Sequence, residues 1–141
     1  MDIIKKIISY SRDDTENTAK EFSCGLKPGD VVGCIGELGA GKTCFISAAC
    51  RYLGVVSMIH SPSYTIVNSY RGKFPVFHID FYRIASEEDL FTIGYNDILS
   101  DSSIIFIEWA DKFPGLIPKS AYWVKFTVLN NEKREILFYK N

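Results

Sequence analysis

Apolar positions in this chain come in short bursts, and the spacing inside each burst sorts it into strand or helix. Residues 3–10 read as a first strand, and Ser11 to Asp14 then supply helix-capping side chains for a helix to about Cys24. Leu26-Lys27-Pro28-Gly29-Asp30 ends it. Val31-Val32-Gly33-Cys34-Ile35 is apolar without alternation, as a strand covered on both faces would be. Phe45, Ile46, Ala48, Ala49 and Leu53 follow at helical spacing, up to about Gly54. After a break at Ser61-Pro62, Tyr64 to Tyr70 and Phe74 to Phe81 read as a hairpin about Arg71-Gly72-Lys73. Ser86-Glu87-Glu88-Asp89 has capping-box spacing and predicts a helix to about Gly94, with a further turn toward Leu99. Ile104 to Ile107 suits a central buried strand. A loop with Pro114, Gly115 and Pro118 leads to a terminal hairpin, Tyr122 to Leu129 and Glu135 to Tyr139, around Asn130-Asn131-Glu132.

Strands and helices in this order predict an α/β fold of the P-loop NTPase kind: a mixed sheet with a parallel centre and antiparallel edge strands, flanked by helices. A length of 141 residues predicts a single domain, and a hydrophobic fraction of 47% with 14% aromatics predicts a folded, globular one. Charge changes the picture little. With 16 basic and 17 acidic residues the chain has no bulk electrostatic footprint for nucleic acid. No apolar stretch is long enough to span a membrane and the N-terminus lacks a cleavable leader pattern, which predicts a cytoplasmic protein without membrane contact. Cys24, Cys34, Cys44 and Cys50 form no metal-type spacing and read as reduced thiols; Cys44, at a helix start where thiol pKa tends to fall, is the candidate for oxidation.

The chemistry is concentrated in Gly36-Glu37-Leu38-Gly39-Ala40-Gly41-Lys42-Thr43, which fits G-x-x-x-x-G-K-[ST] at every defined position between a buried strand and a helix. Glycines let the backbone turn tightly so that successive N–H groups face an anion, and the following helix, from Cys44 on, adds its positive end. Lys42 is expected to reach the β- and γ-phosphates, and the Thr43 hydroxyl to be one ligand of a Mg²⁺. Hydrolysis also needs an acid at the end of a neighbouring strand. Ile104-Ile105-Phe106-Ile107-Glu108 has that form, so Glu108 is assigned to the metal, through a water; Asp80, after Phe77-His78-Ile79, is assigned to the metal's outer shell or the attacking water. Lys42, Asp80 and Glu108 are thus the expected catalytic set. Trp109 reads either as core or as an aromatic anchor for a partner. His60 and His78 read as structural, because phosphate chemistry needs no imidazole. Tyr82 and Arg83 read as a surface strand end, with substrate or partner contact as the second reading.

Together with the loop, Ser61-Pro62-Ser63-Tyr64-Thr65, His78-Ile79-Asp80-Phe81-Tyr82-Arg83, Glu87-Glu88-Asp89-Leu90 with Gly94, and Ile107-Glu108-Trp109 resemble the TsaE (YjeE) family, in its order and spacing, over roughly residues 11 to 118. The resemblance implies a small bacterial ATPase needed for threonylcarbamoyl modification of adenosine 37 in tRNAs that read codons starting with A. It also implies partners: a complex of the TsaB and TsaD proteins on which the ATPase acts, meeting tRNA only indirectly. Thr43 and Glu108 match the family's Mg²⁺ positions, and Asp80 its motif acid. Ser61 to Thr65 then reads as a switch-like segment, and nucleotide contacts outside the loop point to Ser11 and Arg134. Ser63 stands where Thr is usual, and Ala110-Asp111-Lys112 departs from the usual sequence after the tryptophan.

The resulting expectation is a Mg²⁺-dependent ATPase with weak turnover until a partner completes the site, since the five arginines Arg12, Arg51, Arg71, Arg83 and Arg134 include no obvious arginine finger. The alternatives are a small nucleoside or nucleotide kinase, against which the lack of an Arg-rich lid speaks, and a binding module switched by ATP occupancy alone. ATP is preferred to GTP because no N-K-x-D motif follows the acidic strand.

Overall fold

The computed structural model describes residues 1–56, 66–100 and 102–141. Its strands are β1 (Asp2–Ser9), β2 (Val31–Ile35), β3 (Val67–Arg71), β4 (Pro75–Asp80), β5 (Ile104–Glu108), β6 (Tyr122–Val128) and β7 (Arg134–Lys140). They form one seven-stranded sheet in the order β1-β7-β6-β2-β5-β4-β3. The four inner strands β6, β2, β5 and β4 run parallel to one another, whereas β7 pairs antiparallel with β6, β3 with β4, and β1 with β7. This is the expected α/β class: parallel centre, antiparallel edges.

Burial on both faces explains why β2 and β5 are apolar without alternation. All five residues of β5 are buried, and β2 is buried up to Ile35. On one face Val32, Cys34, Val76, Ile104 and Phe106 pack under α1 (Arg12–Ser23) and α2 (Lys42–Tyr52), through Ala19, Phe45, Ile46 and Ala49. Phe45 touches Phe22, Phe126 and Phe138 with ring centroids 5.9, 5.4 and 6.0 Å apart. On the other face Val31, Ile79, Ile105 and Ile107 pack under α3 (Glu87–Thr92) and α4 (Tyr95–Ser100), through Leu90 and Tyr95. Each fully buried large side chain contributes roughly 1.5–3 kcal/mol, so these two stripes fix which face each helix covers.

Local chemistry sets the element ends. At the start of α1 the Ser11 hydroxyl accepts the Asp14 N–H at 3.1 Å while the Asp14 carboxylate accepts the Tyr10 N–H at 2.9 Å, a reciprocal cap. The hairpin before β5 is shorter than its apolar pattern suggests. Phe81 leaves the sheet because the Asp80 carboxylate accepts the Tyr82 N–H at 3.0 Å and turns residues 81–83 into one 3₁₀ turn. Its tip sits on the end of α2, with the Lys73 N–H donating to the Leu53 carbonyl at 2.8 Å, and a Cβ at Gly72 would lie 2.4 Å from that same oxygen. Only glycine fits there. The helix expected from Ser86 is split by Gly94, at φ +83, into α3 and α4. His60 and the segment Ser61 to Thr65, including the start of the expected strand at Tyr64, lie outside the described residues.

Candidate functional site

The carboxyl ends of β2, β5 and β4 meet at one edge of the sheet. Register aligns Cys34 with Glu108 and Glu108 with Asp80, so these three side chains share the face covered by α2. From Ile35 the chain turns into α2 through the loop from Gly36 to Gly41. Gly36 has φ +144, and a Cβ there would lie 2.6 Å from the Phe126 carbonyl oxygen, so β6 forbids any side chain at the loop's first position. Glu37, Leu38 and Gly39 form the exposed tip, and Ala40 is buried. The N-terminal end of α2 has no side-chain cap, which leaves its first-turn N–H groups for an anion.

Lys42 opens that helix yet is only 4% exposed. Its ammonium donates to the Gly36 carbonyl and, at 3.4 Å, to the Glu37 carbonyl, and lies 3.9 Å from the centroid of the Trp109 ring. Burial lowers its pKa, while Glu108, Cys34, Asp111 and Asp80 oppose the shift. Beside it the Thr43 hydroxyl donates to Glu108 Oε1 at 3.2 Å, and the other carboxylate oxygen, Oε2, lies 2.7 Å from His78 Nε2. Asp80 is 6% exposed, and burial raises its pKa; the Tyr82 N–H lowers it, Glu108 adds to the rise, and His78 and Arg83 oppose it.

Trp109 packs half-buried against the core cluster of its face, one of the two roles read from the sequence, and its ring also reaches the glycine loop's lysine. It is the only described non-glycine residue with positive φ, at +57, a conformation that costs about 1–3 kcal/mol and collects at functional sites. The turn lays its half-buried ring over Lys42 and 4.9 Å from the ring of Tyr82. Lys112 ties the two strand-end turns together by donating to the carbonyls of Tyr82 at 2.9 Å and Ile84 at 2.6 Å. His78, read as structural, reaches the central acid; its signal was a polar residue in step with Val76 and Asp80 on β4.

A cleft of about 620 Å³ opens beside the loop and joins Ser11 and Thr15 of the first cap, Thr43 and Cys44 of α2, and Arg134 at the start of β7. Ser11 and Arg134, far apart in sequence, thus line one cavity. The Arg134 guanidinium donates to the carbonyls of Asn130 at 2.7 Å, Asn131 at 3.3 Å and Gly39 at 3.5 Å, bridging the last hairpin to the loop tip. Arg12, Ser47, Asn131 and Glu132 also line the cleft, and nothing in their sequence context singled them out. One expectation is corrected here. The Cys44 thiol pKa is raised, because partial burial, with Glu16 adding to it, outweighs the nearby Arg12 and Arg51 charges.

Among the described residues no group of three or more His, Cys, Asp or Glu forms a metal cage. A hydroxyl and a carboxylate 3.2 Å apart do fit Mg²⁺, which takes one or two protein oxygens and fills its octahedron with phosphate and water. No described helix is long and apolar enough to cross a membrane.

A parallel-centred sheet whose middle strand enters a helix through a glycine loop, with acids at the ends of the two adjoining strands, defines a P-loop-type α/β protein. The family model described as threonylcarbamoyl adenosine biosynthesis protein TsaE matches residues 9–136, and the chain belongs to the TsaE family. It is 34% identical over 131 residues to the tRNA threonylcarbamoyladenosine biosynthesis protein TsaE of Treponema pallidum, covering 93% of this chain and 97% of the relative. The protein of the same name from Rickettsia prowazekii is 36% identical over 132 residues, covering 92% and 91%. The crystal structure of Bacillus subtilis YdiB superposes with a TM-score of 0.83 at 26% identity, covering 98% of this chain and 86% of that one.

Proposed function

We propose that this protein binds and hydrolyses Mg²⁺-ATP in support of the threonylcarbamoyl modification of adenosine 37 in tRNA, acting on a TsaB–TsaD complex rather than on tRNA itself. Membership of the TsaE family supports the pathway. The observation that carries the chemistry is the meeting of Lys42, Thr43 and Glu108 at the end of the glycine loop, with Thr43 and Glu108 in direct contact at 3.2 Å.

In this reading the loop N–H groups and the open end of α2 bind the phosphates, and the cleft between Ser11 and Arg134 takes the nucleoside. Lys42 carries a positive charge into a nearly dry site, and two of its three N–H donors are held by Gly36 and Glu37, which leaves one for a phosphate oxygen. Thr43 and Glu108 would hold Mg²⁺, which neutralises charge on the phosphate oxygens. Asp80, one strand over, orients water, and the Trp109 ring shields the lysine from solvent. Arg12 and Arg51 both engage Glu16, and Arg134 engages backbone carbonyls. That commitment supports weak turnover until a partner supplies the missing charge.

Phosphate release measured with and without Mg²⁺ tests the proposal. Lys42→Ala and Glu108→Ala are each expected to reduce turnover about 10²-fold or more, and TsaB with TsaD to raise it. Unchanged turnover in both variants would sink the assignment.

A further inference from the structure

We propose that His78 is a positioning residue, fixing the orientation of the Glu108 carboxylate through an Nε2–H donated to Oε2; the inference rests on the function proposed above. Alternation along Pro75-Val76-Phe77-His78-Ile79-Asp80 puts Val76, His78 and Asp80 on one face of β4. His78 is fully buried, with Phe106 of β5 and Asn68 of β3 as its register neighbours. At 2.7 Å Nε2 faces an oxygen that, in a carboxylate, only accepts, so the proton lies on Nε2. Nδ1 is buried and finds no hydrogen-bond partner among the described residues. Leaving a buried polar atom unpaired is unfavourable, and a ring kept only to fill space would be better replaced by an apolar one, as at Val76. What the imidazole gains for that unpaired atom is its hold on Glu108. The carboxylate is then fixed at both oxygens, by Thr43 from α2 and by His78 from β4, and the ring itself is immobilised within the sheet. Without His78, the 3%-exposed carboxylate keeps one donor and is free to turn away from Thr43.

Two measurements test this. Long-range ¹H–¹⁵N correlation on protein labelled at histidine, without nucleotide, is expected to show a proton on His78 Nε2. A proton on Nδ1 with Nε2 bare would overturn the proposal, and this reading needs no variant to fold. In ATP turnover followed against Mg²⁺ concentration, His78→Leu is expected to raise the half-saturating Mg²⁺ or lower kcat about 10-fold or more, the usual effect of removing an outer-shell partner. His78→Gln, whose amide nitrogen reaches the place of Nε2, restores most of that loss, and His78→Asn, which does not reach it, restores none. A purely structural role lowers the melting point of all three variants and leaves the Mg²⁺ dependence of the Leu and Gln forms alike, which overturns the proposal. Wild-type protein that fails to turn over ATP overturns the proposed function. Wild-type turnover with an unaltered His78→Leu overturns only the present inference.

Discussion

Asp80 combines near-complete burial with a single backbone donor, the Tyr82 N–H. Because burial raises its pKa, the folded chain holds this proton more tightly than the unfolded chain does. Its contribution to stability is therefore fully present below the ordinary value of 3.8 and is lost as pH rises through the folded value. Asp80→Asn keeps an acceptor for Tyr82 but carries no charge, so it is expected to melt at a higher temperature than wild type at neutral pH. That difference should vanish below the ordinary aspartate range. Melting curves across pH check it, and a gap that stays constant with pH would rule out a buried charge as the cause. Destabilising polar residues are common where activity requires them. At this scale Lys42 and Glu108 were legible because their spacing from the glycines and from the apolar run is local. The place of Trp109 was not, since it follows from one left-handed residue and a lysine on another element. The contact of His78 with Glu108 was not legible for a similar reason, because the two lie 30 residues apart.

The cap at the start of α1 is the clearest case of an element legible in advance, because both of its hydrogen bonds lie within five residues. Ser11→Ala removes one of them and is expected to cost about 1 kcal/mol, or roughly 3–4 °C in melting temperature. Ser11→Asp, another good cap, should stay near wild type; equal losses in the two variants would mean that the hydroxyl is not capping. Strands β2 and β5 were legible for a different reason, since complete burial removes alternation. The 3₁₀ turn at Phe81 was not. It arises when a strand-end carboxylate captures its own downstream N–H, and that competes with an apolar pattern which otherwise continues the strand. The parallel placement of β6 beside β2 also escaped, because periodicity identifies a strand but not its neighbour.

For the molecule as a whole, the cleft is the unit that no single element carries. Its walls come from the cap of α1, the start of α2 and the turn between β6 and β7. Arg134→Ala removes the bridge between that turn and the loop tip and is expected to weaken ATP binding about 10-fold, measured by titration calorimetry; full affinity would exclude Arg134 from the site. The same hairpin also governs β1, which among the described strands has β7 as its one partner in the sheet. During synthesis the glycine loop and both acids therefore emerge well before the strand that anchors residues 2–9 and carries Arg134. Domains generally fold as units during synthesis, and here β1 cannot pair until β7 has been made. Until β7 is made a nascent chain lacks the cleft wall that carries Arg134, so the pairing of β1 and the nucleotide site proposed above depend on the same hairpin.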